Sequence, residues 1–247
     1  MMNLELPGGP LTVICLAAHP DDIEIATGGT LLELGARGDV NGYWLTLTGD
    51  SARTAEAVAA AEAFLPGAQT EFHQFPDGRL PAHWNAVKDA LHSFSQQVPV
   101  PDLVLAPRVD DAHQDHQLLG RLASTVWRDA AIWHFEVPKW DGDLRSSNFY
   151  VPISAENGRR KVDLLNKHYP SQAHHDWWDD EMFLGLMRIR GMECRSRYAE
   201  GFYVPKSIMQ IAPPMTRSLG VWEAQRRRQD QVTDRVGDDP QGDTGCD

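Results

Sequence analysis

His19-Pro20-Asp21-Asp22 and Asp110-Asp111-Ala112-His113-Gln114-Asp115-His116 are two stretches in which imidazoles and carboxylates crowd together without a cysteine. Each alone has a bland explanation: Asp21, Asp22 and Asp111 are typical helix caps or exposed acids, and a single histidine is commonly structural. Together they offer the donors of a catalytic metal site, which for zinc takes three protein ligands and keeps one position for water. His19, Asp22 and His116 can supply the three. Pro20 keeps His19 extended, so Asp22 can return to the same point as the chain rounds the loop. Asp21 then stands beside the ion as a base for water whose pKa zinc lowers to about 7. His113 can stabilise an oxyanion or protonate a departing amine. Asp115 can hold the His113 ring in one tautomer and keep it cationic, or equally support a liganding histidine. Fe²⁺ suits two histidines and a carboxylate as well as Zn²⁺ does.

For these stretches to meet, both must lie at carboxyl ends of strands in one sheet. Residues 11–18 form an unbroken apolar run, expected as a strand buried on both faces. A polar loop, a short helix entered at Gly28-Gly29-Thr30 and a strand at 40–48 complete a βαβ unit. The alternation continues with a helix at 54–64, a strand at 71–75, the turn Pro76-Asp77-Gly78, a helix at 83–97, a strand at 103–106, a helix at 114–127 and a strand at 132–137. Further helices are expected at 154–168 and 179–191, and two closing strands at 198–204 and 206–211. This spacing predicts an α/β fold, a Rossmann-like mainly parallel sheet with helices on both faces. Ligands of such sheets bind at strand carboxyl ends. Residues 1–221 read as a single catalytic domain, and 222–247 as a charged, disordered tail.

Composition narrows the partners. The 247 residues carry 23 Lys+Arg against 35 Asp+Glu, a net charge of −12, which argues against a broad basic surface for nucleic acid. Three scattered cysteines form neither a disulfide framework nor a thiolate zinc site. No apolar run is long enough to span a membrane and the amino terminus lacks a signal pattern, so a cytoplasmic location is expected. Oligomeric state is not legible.

The two motifs, with Gly28-Gly29-Thr30-Leu31 after the first, resemble those of the PIG-L/LmbE-like metal-dependent N-acetylglucosaminyl deacetylases. Further matches are Leu45-Thr-Leu-Thr-Gly49, Arg53 with Glu56-Ala57, Phe75-Pro-Asp-Gly78 and Pro101-Asp-Leu-Val104, so the resemblance is clear over 12–126 and weaker to about 204. It implies metal ligands at His19, Asp22 and His116, a general base at Asp21, and a charge-stabilising histidine at His113. It also implies that Arg53 and Asp77 reach sugar hydroxyls, although Arg53 can instead pair with Glu56 and Asp77 can simply shape its turn. The implied activity is zinc-dependent removal of an N-acetyl group from an N-acetylglucosamine-type sugar or conjugate, a small-molecule substrate. An amidase for a larger acyl group and a non-catalytic metal- or sugar-binding domain are the alternatives. No glycine-rich dinucleotide turn follows the first strand, and no G-x-S-x-G elbow is present. Trp140, Trp177, Trp178 and Phe183 can line a substrate wall, with core packing the commoner fate of such residues. His174-His175 beside Asp176 reads as a solvated loop, and Arg226-Arg227-Arg228 as a solvated charge run.

Overall fold

Alternate residues of β1 (Leu11–Ala17) point to opposite faces of the sheet, and both sets are apolar. Val13, Cys15 and Ala17 join one buried cluster, Ile14 and Leu16 another. Such a strand must be covered on both sides, which requires helices above and below. The computed structural model describes residues 3–209 and has this arrangement. Seven strands form one sheet in the order β3-β2-β1-β4-β5-β7-β6. β2 (Val40–Thr48), β3 (Gln69–Phe75), β4 (Leu103–Pro107) and β5 (Ala131–Phe135) run parallel with β1, while β7 (Tyr198–Tyr203) is antiparallel to both β5 and β6 (Phe149–Ile153). α1 (Asp22–Gly35), α2 (Ser51–Phe64), α5 (Ala155–His168) and α6 (Asp180–Cys194) cover the first cluster; α3 (Trp84–Gln97) and α4 (Gln114–Val126) cover the second.

The chain proceeds from β1 outward through β2 and β3, then crosses back to place β4 on the other side of β1. The carboxyl ends of β1 and β4 therefore flank the point where the winding direction reverses, the usual position of a ligand crevice. The two motif-bearing loops leave from those two ends. Their meeting follows from the strand order.

Three local expectations change. The polar loop after β1 is shorter than expected: α1 begins at Asp22 and takes in residues 22–27. Twelve of its fourteen residues are buried, so it has no apolar stripe to reveal it. Among its buried polar side chains, Glu24 accepts from the Tyr169 hydroxyl and Thr27 donates to the Ile23 carbonyl. The backbone N–H groups of Gly29 and Thr30 donate to the Glu200 carboxylate at 2.8 and 2.7 Å, and Lys161 Nζ neutralises it at 2.6 Å. Strand β6 was not expected, because Pro152 within it marks a position tolerated only at a sheet edge, where β6 lies. Residues 206–209 form no strand: Pro205 has no N–H to continue a ladder. The remainder of that expected strand, the boundary at 221 and the tail at 222–247 lie outside the described residues.

Packing of α4 on β4 leaves no room at one position. A Cβ on Gly120 would collide with the Pro107 carbonyl oxygen and approach the Arg108 backbone at 3.1 Å. Backbone cannot swing aside as a flexible side chain does, so Gly120→Ala should lower unfolding free energy by about 1–3 kcal/mol, read as a lower denaturation midpoint. An unchanged midpoint would mean that α4 is free to slide on β4.

Candidate metal centre and active site

Directly after β1 the backbone folds back on itself through Asp21, whose φ of 102° lies in a left-handed region unfavourable for a residue with a Cβ. The reversal brings the Asp22 carboxylate under the preceding chain, where its Oδ2 accepts from the N–H groups of Ala18 and His19 at 3.0 and 2.8 Å. Arg53, in the first turn of α2, secures the outer side: its Nη2 donates to the Pro20 carbonyl at 2.6 Å and to Asp21 Oδ2 at 3.1 Å. Gly49, at φ 117°, lets the end of β2 pass close to Pro20, where an added Cβ would lie 2.6 Å from the proline ring.

The second loop ends at His113, which caps α4 and places His116 in the first helical turn. His116 Nδ1 lies 3.0 Å from Asp111 Oδ2, so a ring proton is held there and Nε2 faces inward, where the neutral ring would present its lone pair to a metal. Nε2 is 3.2 Å from His19 Nδ1 and 3.2 Å from Asp22 Oδ1, and His19 Nδ1 is 3.5 Å from Asp22 Oδ2. Two inward imidazole nitrogens and a carboxylate thus converge in buried surroundings. This donor set fits a divalent cation, and the Asp111–His116 contact is the outer support that metal-bound histidines ordinarily have. Histidine 113 also brings a ring nitrogen within 4.8 Å of His19 and His116, and Asp77 with Asp115 forms a second such group around His19. Asp77 and Asp115 approach His19 from its Nε2 side, whereas Asp22 reaches both rings, His19 at Nδ1 and His116 at Nε2.

The charges follow from this crowding. Burial opposes a positive charge on His19 and His116, yet Asp22, with Asp115 and Asp77 near one ring and Asp111 near the other, holds His19 well above the usual imidazole range and pushes His116 up to about 9. Burial equally opposes ionisation of Asp22, but the two rings keep it well below the carboxylate range. Asp21 shifts the other way. Burial raises it to about 7, with the Arg53 guanidinium restraining the rise and the Asp22 charge adding to it.

Several expected partners are rearranged. Asp115 does not hold the His113 ring: its carboxylate accepts from the N–H groups of Gly78 and Leu80 at 2.8 and 3.0 Å, and Oδ2 stands 3.4 Å from His19 Nε2. It ties the Pro76-Asp77-Gly78 turn to α4 and supports the His19 side, the second of its two expected roles. His113 Nδ1 instead accepts from the backbone N–H of Asp115 at 3.3 Å, which leaves the neutral ring's proton on Nε2. Burial, then the neighbouring His19 and His116, lower the His113 pKa, so the ring is not kept cationic. Arg53 lines the cavity and its Nη2 donates to Pro20 and Asp21; Glu56 pairs with Ser171 rather than with Arg53. Asp77 is 63% exposed at the cavity, with Oδ1 3.0 Å from His19 Nε2.

The cavity itself measures about 260 Å³. Its far side is built from the loop after β5, with Lys139, Trp140 and Asp141, and the loop between α5 and α6, with Gln172, His175 and Trp177. The four aromatic residues therefore divide: Trp140 and Trp177 line the cavity, whereas Trp178 and Phe183 are core, packed edge to face at 5.2 Å. Asp111, Lys139 and Gln172 escaped sequence reasoning. Asp111 stood in the motif itself, where an acid five residues before a liganding histidine was the available signal. Lys139, which reaches Asp111 Oδ1 at 2.9 Å, had none.

Residues 14–127 match the family described as PIG-L, GlcNAc-PI de-N-acetylase, a span that includes both loops. Over that span the chain is similar to the PIG-L family. The matched segment runs from β1 to the end of α4, so it holds both loops of the candidate metal centre, while the Trp140 and Trp177 wall lies beyond it. The fold agrees. N,N'-diacetylchitobiose deacetylase from Pyrococcus horikoshii superposes with a TM-score of 0.61 at 21% identity, over 78% of this chain and 83% of its own. The conserved protein TT1542 from Thermus thermophilus gives 0.62 at 25% identity, over 84% of this chain and 100% of its own. GalB, the 4-carboxy-2-hydroxymuconate hydratase from Pseudomonas putida, gives 0.63 at 19% identity, over 82% and 100%. One framework therefore carries different chemistries among its structural relatives. No curated protein matches the chain by sequence.

Asp111 offers a test of the centre that needs no substrate. Asp111→Asn should weaken Zn²⁺ binding about 10- to 100-fold in calorimetric titration, because His116 loses the acceptor that fixes its tautomer. Undiminished affinity would place the metal away from His116.

Proposed function

We propose that this protein is a metal-dependent N-deacetylase that hydrolyses the acetamide of an N-acetylglucosamine-type sugar or sugar conjugate, releasing acetate and a free amine. The observation that carries this reading is the convergence of His19, Asp22 and His116 with Asp21, a carboxyl of raised pKa, left beside them. A donor set for binding alone has no use for that neighbour. Zn²⁺, or Fe²⁺ as the alternative, held by His19, Asp22 and His116, would supply Lewis acidity toward the amide carbonyl and toward water.

The chain's own residues account for the proton movements. Asp21 Oδ2 takes a proton from the attacking water, and its backbone position, fixed by Arg53 and by the left-handed turn, aims the carboxylate along one side of the cavity. With its Nδ1 engaged by the Asp115 backbone, His113 presents an Nε2–H as a neutral donor for the oxyanion that develops on the carbonyl oxygen. As the C–N bond breaks, the proton gathered on Asp21 is available to the departing nitrogen. The cavity, at about 260 Å³, falls below the roughly 300–1,000 Å³ of ordinary ligand pockets, which favours a short acyl group over a long chain.

Three outcomes test this reading. Chelator-treated protein should lose acetate release from N-acetylated sugars and regain it with Zn²⁺ or Fe²⁺. Asp21→Asn should lower kcat by about 10²- to 10⁴-fold with metal content retained, and near-normal turnover in that variant would exclude Asp21 as the base. The pH profile supplies the third. Protonated Asp21 cannot accept a proton, so kcat/KM should fall as pH drops through about 7. Arg53→Met removes the charge that favours the ionised form, so the limb should move to higher pH by about one unit or more. A limb that stays or moves down would sink the assignment.

A further inference from the structure

The wall opposite the metal ligands has chemistry that the deacetylation reading leaves unused. Trp140 is 66% exposed at the cavity rim, yet it is held in place: its Nε1 donates to Asp176 Oδ1 at 3.0 Å. Its ring is close to perpendicular to those of His175 and Trp177, at centroid distances of 5.6 and 5.8 Å and interplanar angles of 88° and 80°. His175 and Trp177 lie nearly parallel to each other, 13° apart. A tryptophan whose polar atom is engaged and whose ring packs on two others, while 66% of it is exposed, offers a held, flat apolar surface to solvent. The loop after β5 supplies Trp140, and the loop between α5 and α6 supplies His175, Asp176 and Trp177.

The charges around the cavity define what can lie there. Asp21, Asp22, Asp77 and Asp141 all line it, against the cationic side chains Arg53 and Lys139. Each already faces an acid: Arg53 Nη2 lies against Asp21, and Lys139 against Asp111 at 2.9 Å and Asp143 at 3.2 Å. A phosphate or carboxylate at the rim would compete with those acids and meet the exposed Asp77 and Asp141 as well.

We propose that Trp140 forms a subsite for an uncharged ring attached to the amine-bearing part of the substrate, which stacks on the indole, and that anionic conjugates are disfavoured there. The proposal rests on the deacetylase reading for its placement, and the shared chemistry admits either an aryl group or the apolar face of a second sugar.

Acetate release from N-acetylglucosamine, p-nitrophenyl N-acetyl-β-glucosaminide, N,N'-diacetylchitobiose and N-acetylglucosamine 1-phosphate tests it. At least one of the two neutral conjugates should exceed the free sugar in kcat/KM, and the phosphate should fall below it. Whichever neutral conjugate leads identifies the ring. Trp140→Ala should raise KM for that conjugate about tenfold more than KM for the free sugar, with Trp140→Phe restoring most of the difference. Equal effects on both substrates, or preference for the phosphate, would overturn the subsite. Binding of the amine product p-nitrophenyl β-glucosaminide, followed by calorimetry, separates the two readings. If nothing releases acetate but the wild type binds this compound at least several-fold more tightly than Trp140→Ala, the deacetylase reading fails and the subsite stands. If nothing releases acetate and both bind equally, both fail.

Discussion

The Asp22 carboxylate joins the two halves of the centre. One oxygen closes the turn after β1 by accepting from Ala18 and His19, and the other faces His116 on α4. A buried carboxylate is expensive to ionise unless positive or polar groups surround it, and here backbone N–H groups and two imidazoles do so. The arrangement is in turn strained by accumulation of charge: protonated rings oppose one another, and neutral rings leave Asp22 less well compensated. A divalent cation held by the same atoms would resolve that conflict.

Holding such a centre demands polar burial elsewhere. α1 starts at Asp22 and is enclosed on nearly every side, so Glu24 and the backbone at Gly29 and Thr30 need partners deep inside the protein. Tyr169 serves the first, Glu200 with Lys161 the second. Burial pushes Glu24 up to about 8, tempered by the Tyr169 hydroxyl, so at neutral pH this carboxyl is kept largely protonated. The consequence for the site is electrostatic: a second full negative charge one turn from Asp21 and Asp22 is avoided. Arg53 does related work on the outer side, where it neutralises Asp21 and fixes the turn at once.

Much of the sheet was readable because a strand buried on both faces has a distinctive run of apolar residues, as β1 and β4 do. α1 and β6 were not. The start of α1 has carboxylates and threonine where an amphipathic helix would have an apolar stripe, and partners far along the chain, His116 for Asp22 and Tyr169 for Glu24, account for the carboxylates. Pro152 in β6 obscured an edge strand that joins the sheet through β7, which in turn pairs with β5. In the site, His19, Asp21, Asp22, His113 and His116 stood out by type and spacing, and all five line one cavity. Their partners did not: Asp115 turned from the His113 ring to the Gly78 and Leu80 backbone, and Arg53 from Glu56 to Asp21.

Residue types and their spacing determined, without any coordinates, that loops rich in imidazole and carboxylate donors would follow two buried strands. That much is local, since ligand identity and strand hydrophobicity are properties of short segments. Tertiary structure decided which atoms face which. Tautomers, ion pairs and the placement of Trp140 and Trp177 against the cavity depend on segments far apart in the chain, brought together by the order of the strands. Hydrogen bonds are satisfied by whatever group lies nearest in space, and nearness in space is the one quantity a linear pattern does not contain.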